Sequence, residues 1–153
     1  MREISSQRPV NVLFLCTANS ARSILSESIL NQVGGGRFRA FSAGSKPGGS
    51  VNPDGIKLLK SLDYPTDHLR SKSWDEFAGS DTPVMDHVIT VCNNAAGETC
   101  RIWPGHPATD HWDITDPAGV GDTDAERREA FVAAYNELKS RIQNFVKHLQ
   151  KEK

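Results

Sequence analysis

Apolar and polar positions along the chain change period several times, and each change predicts an element. Val10 to Cys16 (VNVLFLC) is a continuous apolar run, as expected of a strand covered on both faces. Cys16 to Ser23 (CTANSARS) is small and polar, which predicts a tight loop. Leu25, Ile29 and Val33 then recur every fourth residue, predicting a helix that Gly34, Gly35 and Gly36 stop. Phe38 to Ala43 reads as a second short strand, followed by a loop rich in Gly, Ser and Pro. Asn52 can cap a helix with Pro53 in its first position, and Ile56, Leu59 and Leu62 are its expected buried stripe. Ser73 with Glu76 has the spacing of a capping box opening a short helix, Trp74 to Ala78. Asp86 to Cys92 contains a third strand, residues 93–107 read as irregular, and Thr109 to Ile114 hold a fourth, weaker strand. Thr123 with Glu126 opens the last helix. There Phe131, Tyr135, Leu138, Ile142, Phe145 and Leu149 keep a four-three rhythm on one face, and Lys147, Lys151 and Lys153 suit its negative end.

Strands alternating with helices imply an α/β fold, an open parallel sheet with right-handed crossovers. Ligands of such sheets sit at the carboxyl ends of the strands, where Cys16 and Cys92 each end a predicted strand. If those two strands are parallel neighbours, both sulfurs lie at one edge of the sheet. With 153 residues and neither repeat nor linker, the chain reads as one catalytic domain over 10–153 behind a loose arm over 1–9.

Composition narrows the class. A formal charge of −1 argues against a broad nucleic-acid-binding face. No apolar run approaches the ~18 residues of a membrane span. The run Val10 to Cys16 is too short for a signal-peptide core with its cleavage site. The expected compartment is the cytoplasm, with no nucleic acid and no membrane as partner. Three cysteines there, an odd count, suggest reactive or metal-binding thiols, or small buried residues, rather than a disulfide framework.

The first loop carries the strongest chemistry. Cys16-Thr17-Ala18-Asn19-Ser20-Ala21-Arg22-Ser23 is a C-x5-R-S pattern between a strand and a helix. Successive backbone N–H groups in a tight loop form an anion nest, and the helix N-terminus adds partial positive charge. Ala18, Ser20 and Ala21 let the backbone approach an oxyanion closely. The planar fork of Arg22 can hold two oxygens of a tetrahedral anion. The same field stabilises a Cys16 thiolate, and Ser23 is placed to hydrogen-bond the sulfur. Later, Asp116 before Pro117 offers a carboxylic acid able to protonate a leaving oxygen while Cys16 attacks.

Together the loop CTANSARS, the Ser42-Ala43-Gly44 that follows strand two, and Asp116-Pro117 resemble the low-molecular-weight tyrosine phosphatase superfamily over nearly the whole chain after residue 9. The resemblance implies a single-domain, four-stranded parallel sheet flanked by helices. It implies Cys16 as nucleophile, Arg22 as oxyanion clamp, Asp116 as general acid, and Thr17, Ala18, Asn19, Ser20, Ala21 and Ser23 with Arg22 as the oxyanion nest. It also implies that Asn19 shapes the loop through side-chain hydrogen bonds.

The segment CNNAAGETCRIWPGHP, with Cys92 and Cys100 in C-x7-C spacing, then HWDITDP, is similar to the arsenate reductases of that superfamily. A phosphatase needs no second or third thiol, and its relatives tend to carry aromatic residues after Asp-Pro, where this chain has Ala118-Gly119. The branch implies reduction of arsenate to arsenite through a Cys16/Cys92/Cys100 relay. Thioredoxin, or glutaredoxin with glutathione, would recycle it without a bound cofactor. Disulfide geometry requires Cα atoms within ~7 Å, so residues 93–107 are expected to rearrange on oxidation. Ala21 stands where some relatives have another cysteine. Some relatives also bind potassium beside the loop. Asn19, Glu27 and Ser42 match part of that pattern, but the stretch Leu69-Arg70-Ser71-Lys72-Ser73 is cationic, so no metal is expected.

Three other readings compete with this one. A tyrosine phosphatase would hydrolyse phosphate monoesters through a Cys16 phosphoenzyme. A non-catalytic module would bind oxyanions without turnover. Cys92, Cys100, His106 and His111 could ligate zinc, but they lack the close C-x2–4-C spacing of structural sites, and both histidines are expected on a loop surface. Trp74, Trp103 and Trp112 read as packing residues, with Trp103 and Trp112 near the site entrance.

Overall fold

The computed structural model describes residues 9–16, 19–77, 82, 84–91, 108–112, 114, 117 and 120–151. The expected arm over 1–9 therefore lies outside it except for Pro9. Four strands, β1 (Val10–Cys16), β2 (Phe38–Gly44), β3 (His87–Thr90) and β4 (Ala108–His111), form one sheet. Their order is β2-β1-β3-β4 and every pairing is parallel, as the alternation of elements predicts. The helices are α1 (Arg22–Val33), α2 (Pro53–Ser61) and α3 (Asp124–Lys151).

Alternation along β1 builds two cores. Val12, Phe14 and Cys16 join α1, α2 and α3 in one apolar cluster. Leu13 and Leu15 join Ala43, Phe77, Met85 and Val88 in the other. Both faces of β1 are thus covered, which is why its sequence is apolar from Val12 to Cys16. Within α1, every residue from Ser23 to Leu30 is buried, not just one stripe, because the helix lies against β2 on one side and α3 on another. Truncating one of the fully buried leucines here, such as Leu138, would cost about 2–5 kcal/mol.

Several local expectations need correction. In α2 the buried face is Gly55, Leu58 and Leu59; Ile56 is half-buried and Leu62 is 42% exposed. The cause is close packing on α3: a Cβ at Gly55 would meet Phe131 Cε2 at 3.3 Å, so the helix turns this small residue toward its neighbour. Trp74–Phe77 is a turn of 3-10 helix, and Ala78 lies outside the described residues. Its capping box does not form, because Ser73 Oγ accepts from Asp75 N–H and the Glu76 carboxylate pairs with Arg70 instead. At α3, Thr123 Oγ1 accepts from Glu126 N–H at 3.1 Å, while Glu126 Oε1 takes the N–H of Asp122 at 2.8 Å. The fourth strand is shorter than Thr109 to Ile114 and sits exposed at the sheet edge. It carries His111, which is exposed on a strand rather than a loop and hydrogen-bonds Thr90 Oγ1 through Nδ1.

Gly34 ends α1 as expected, for a steric reason: a Cβ there would lie 2.7 Å from Phe38 Cβ and 2.9 Å from Leu30 O. The close approach brings β2 back beside β1 immediately.

Candidate active site

Strand order places the site. The chain leaves β1 for β2 on one side and for β3 on the other, so the order reverses beside β1. Ligands of open parallel sheets bind at such a switch point, outside the carboxyl ends of the strands. Cys16 is the last residue of β1, in register with Gly44 of β2, and its thiol is buried at 5% exposure. On the other side Val91 N–H donates to Leu15 O at 2.9 Å, bringing the chain to the same edge one residue before Cys92. Thr17, Ala18, Cys92, Cys100 and Asp116, with Trp103 and His106, lie outside the described residues.

Asn19 to Ser23 show how the loop is held. Asn19 is fully buried with φ at 51°, in the left-handed region that asparagine tolerates better than most residues. A left-handed residue beside a right-handed one is the backbone unit from which anion nests are built. Asn19 Nδ2 donates to Ser23 Oγ at 2.8 Å, and Asn19 Oδ1 accepts from Lys72 N–H at 2.8 Å. Ser20 O accepts from Asn52 N–H at 2.9 Å, so that carbonyl is engaged by the start of α2. Ala21 stands at the N-cap of α1 and has no side chain with which to accept from the first turn. Those N–H groups and the partial positive charge of the helix suit an anion.

Arg22 opens α1 and Nη1 donates to Ile114 O at 2.9 Å. The guanidinium is thereby tied to the stretch two residues before Asp116. Trp112, just upstream, is a packing residue: it is 6% exposed, with its ring 5.9 Å from Phe14 and 6.0 Å from Phe145.

Behind the loop lies a charged cluster that sequence reading noticed only in part. Ser42 Oγ, fully buried, donates to Glu27 Oε1 at 2.6 Å. Lys72 Nζ stands 3.9 Å from Glu27 Oε1 and donates to Arg70 O at 2.9 Å and Ser42 Oγ at 3.4 Å. Burial pushes the Lys72 ammonium below its ordinary range, and Glu27 pulls it back upward. Lys72 O also accepts from Gly44 N–H at 2.9 Å, fastening this stretch to the end of β2. A potassium ion of the kind the resemblance raises does not fit here, because the oxygens of Glu27 and Ser42 already face an ammonium. Cation residues at 70 and 72 were legible in the sequence, but not that one of them turns inward.

A family model for low molecular weight phosphotyrosine protein phosphatase matches residues 11–153. The chain belongs to that family. An arsenate reductase of Oceanobacillus iheyensis is 30% identical over 136 residues, covering 89% of this chain and 94% of the relative. The crystal structure of an arsenate reductase from Archaeoglobus fulgidus superposes with a TM-score of 0.69 at 26% identity, over 88% of this chain and 98% of that one. A thioredoxin-dependent arsenate reductase of Corynebacterium glutamicum shares the fold, with a TM-score of 0.67 at 23% identity over 99% of this chain and 67% of that one. The four-stranded parallel fold and the resemblance to arsenate reductases of this family are therefore borne out. Among the described residues no helix is long and apolar enough to cross a membrane.

Proposed function

We propose that the protein reduces arsenate to arsenite, with Cys16 as nucleophile. One observation supports the reading: Cys16 is a buried thiol ending β1 at the sheet's switch point, three residues before a buried Asn19 that takes a left-handed φ and braces Ser23 at the start of α1. Likeness to arsenate reductases, together with Cys92 and Cys100 in C-x7-C spacing, favours arsenate over phosphate esters.

Arsenate matches phosphate in shape and charge, so N–H groups from Thr17 to Ser23 and the Arg22 fork would hold its oxygens. The Cys16 thiolate attacks arsenic; Asp116 protonates the departing oxygen, which leaves as water. Cys92 thiolate then attacks Cys16 Sγ. The sulfur–arsenic bond breaks, its electron pair stays on arsenic, arsenite leaves, and a Cys16–Cys92 disulfide remains. Cys100 thiolate attacks Cys92 Sγ and releases the Cys16 thiolate, moving the disulfide to Cys92–Cys100. A dithiol protein such as thioredoxin, or glutaredoxin with glutathione, supplies the two electrons that reopen it. Such recycling belongs in a reducing compartment, consistent with a cytoplasmic enzyme.

The deciding experiment is a single turnover of the reduced protein with arsenate, followed by mass-spectrometric mapping of disulfides. One arsenite per chain with a Cys92–Cys100 bridge is expected. No arsenite and three reduced cysteines would overturn the reading in favour of a phosphatase, to be assayed next on a phosphate monoester.

A further inference from the structure

We infer that the Lys72 ammonium is a built-in monovalent cation that positions the oxyanion loop, so that this chain needs no metal ion there. The inference rests on the reading of Cys16–Ser23 as an oxyanion site. Lys72 acts in two directions. Its main-chain N–H holds Asn19 Oδ1, the other end of whose amide braces Ser23. Its side chain, 9% exposed, sets Nζ against Glu27 Oε1, Ser42 Oγ and Arg70 O, all oxygen donors.

The charge balance explains why a cation belongs at this point. Glu27 lies on α1, the helix whose N-terminus completes the nest, and its side chain is also 9% exposed. A buried carboxylate is costly unless a cation faces it. An uncompensated negative charge behind the loop would also oppose binding of an oxyanion in front of it. Among the described residues two other basic groups lie near this carboxylate, His68, its Nε2 4.0 Å from Glu27 Oε2, and Arg70, but they are 51% and 61% exposed and Arg70 is paired with Glu76. Lys72 is the buried partner, and because one residue carries both the charge and the N–H to Asn19, losing the charge also loosens the loop.

Removing the lysine side chain would leave a space bordered by a carboxylate, a hydroxyl and a carbonyl oxygen, a donor set that suits an alkali cation. The test compares wild type, Lys72→Met and Lys72→Ser in potassium chloride and in tetramethylammonium chloride at equal ionic strength. Melting temperature and affinity for inorganic phosphate are read in each salt. Wild type should show the same values in both. Lys72→Met, which keeps the stem without the charge, should bind phosphate about tenfold more weakly in both, the scale of one charged hydrogen bond. Lys72→Ser should bind weakly in tetramethylammonium and regain both affinity and melting temperature in potassium.

Wild-type affinity retained by both variants in both salts would overturn the inference, as would a wild-type melting temperature that rises with potassium. A Lys72→Ser chain that folds only in potassium supports it. One that folds in neither leaves the decision to Lys72→Met. If wild type binds no phosphate in either salt, the oxyanion reading itself fails, and the potassium response of Lys72→Ser melting still decides the role of the lysine.

Discussion

Asn19 donates to Ser23 Oγ across 2.8 Å while fully buried and held at a φ of 51°. One amide therefore secures both the left-handed step of the loop and the first turn of α1. Asn19→Ala removes both side-chain bonds and places alanine in a left-handed conformation it tolerates poorly. Chemical denaturation should show a loss of about 2–4 kcal/mol. Asn19→Gly separates the two causes: it relieves the backbone but restores neither bond, and should recover about 1 kcal/mol of that loss. Equal stability of the two variants would show that the left-handed backbone costs nothing.

Cys16→Ser and Cys100→Ser should fail differently. On the proposed mechanism Cys16 is the nucleophile, so without it neither arsenate turnover nor phosphatase activity should remain. Without Cys100 the chain should release one arsenite and stop at a Cys16–Cys92 bridge, since the last thiol exchange is missing. Quenched-flow arsenite counting separates the two, and sustained cycling of Cys100→Ser with thioredoxin or glutaredoxin would remove Cys100 from the relay.

Asp116→Asn should slow the first step alone. Loss of a general acid typically lowers the rate about 10²–10⁴-fold, whereas disulfide exchange needs no such group. A pre-steady-state trace with arsenate should therefore show a slow adduct phase, and exchange started from an oxidised Cys16–Cys92 chain should run at the normal rate. An unchanged first phase would leave Asp116 as a turn residue before Pro117.

Arg70 lies two residues from Lys72 and forks onto both carboxylate oxygens of Glu76, with Nη1 3.0 Å from Oε2. This hydrogen bond holds the Glu76 carboxyl below its ordinary 4.5. A depressed carboxyl pKa stabilises the fold above the unfolded value and loses that contribution as pH falls through the folded value. Both side chains are largely exposed, at 61% and 41%, so Glu76→Gln should cost only about 0.2–1 kcal/mol at neutral pH. Urea titrations should show that gap steady above pH 4.5 and closing in more acid solution; a gap independent of pH would mean that the pair contributes through packing rather than charge.

By itself the sequence determined whatever rests on neighbours along the chain. The apolar run of β1, the glycine stop at residue 34 and the four-three rhythm of α3 are periodicities or local preferences, and each element stands where they place it. The order of strands decided the rest: it makes β1 a switch point and brings Gly44, Lys72 and Asn19 to one edge. The buried face of α2 depended on Phe131, some 76 residues away, pressing on Gly55, which no helical stripe records. Likewise, Lys72 reads as one more solvated cation until the fold sets it against Glu27 and Ser42. Charge pairing and close packing are short-ranged in space but indifferent to separation along the chain, so only the tertiary structure could decide them.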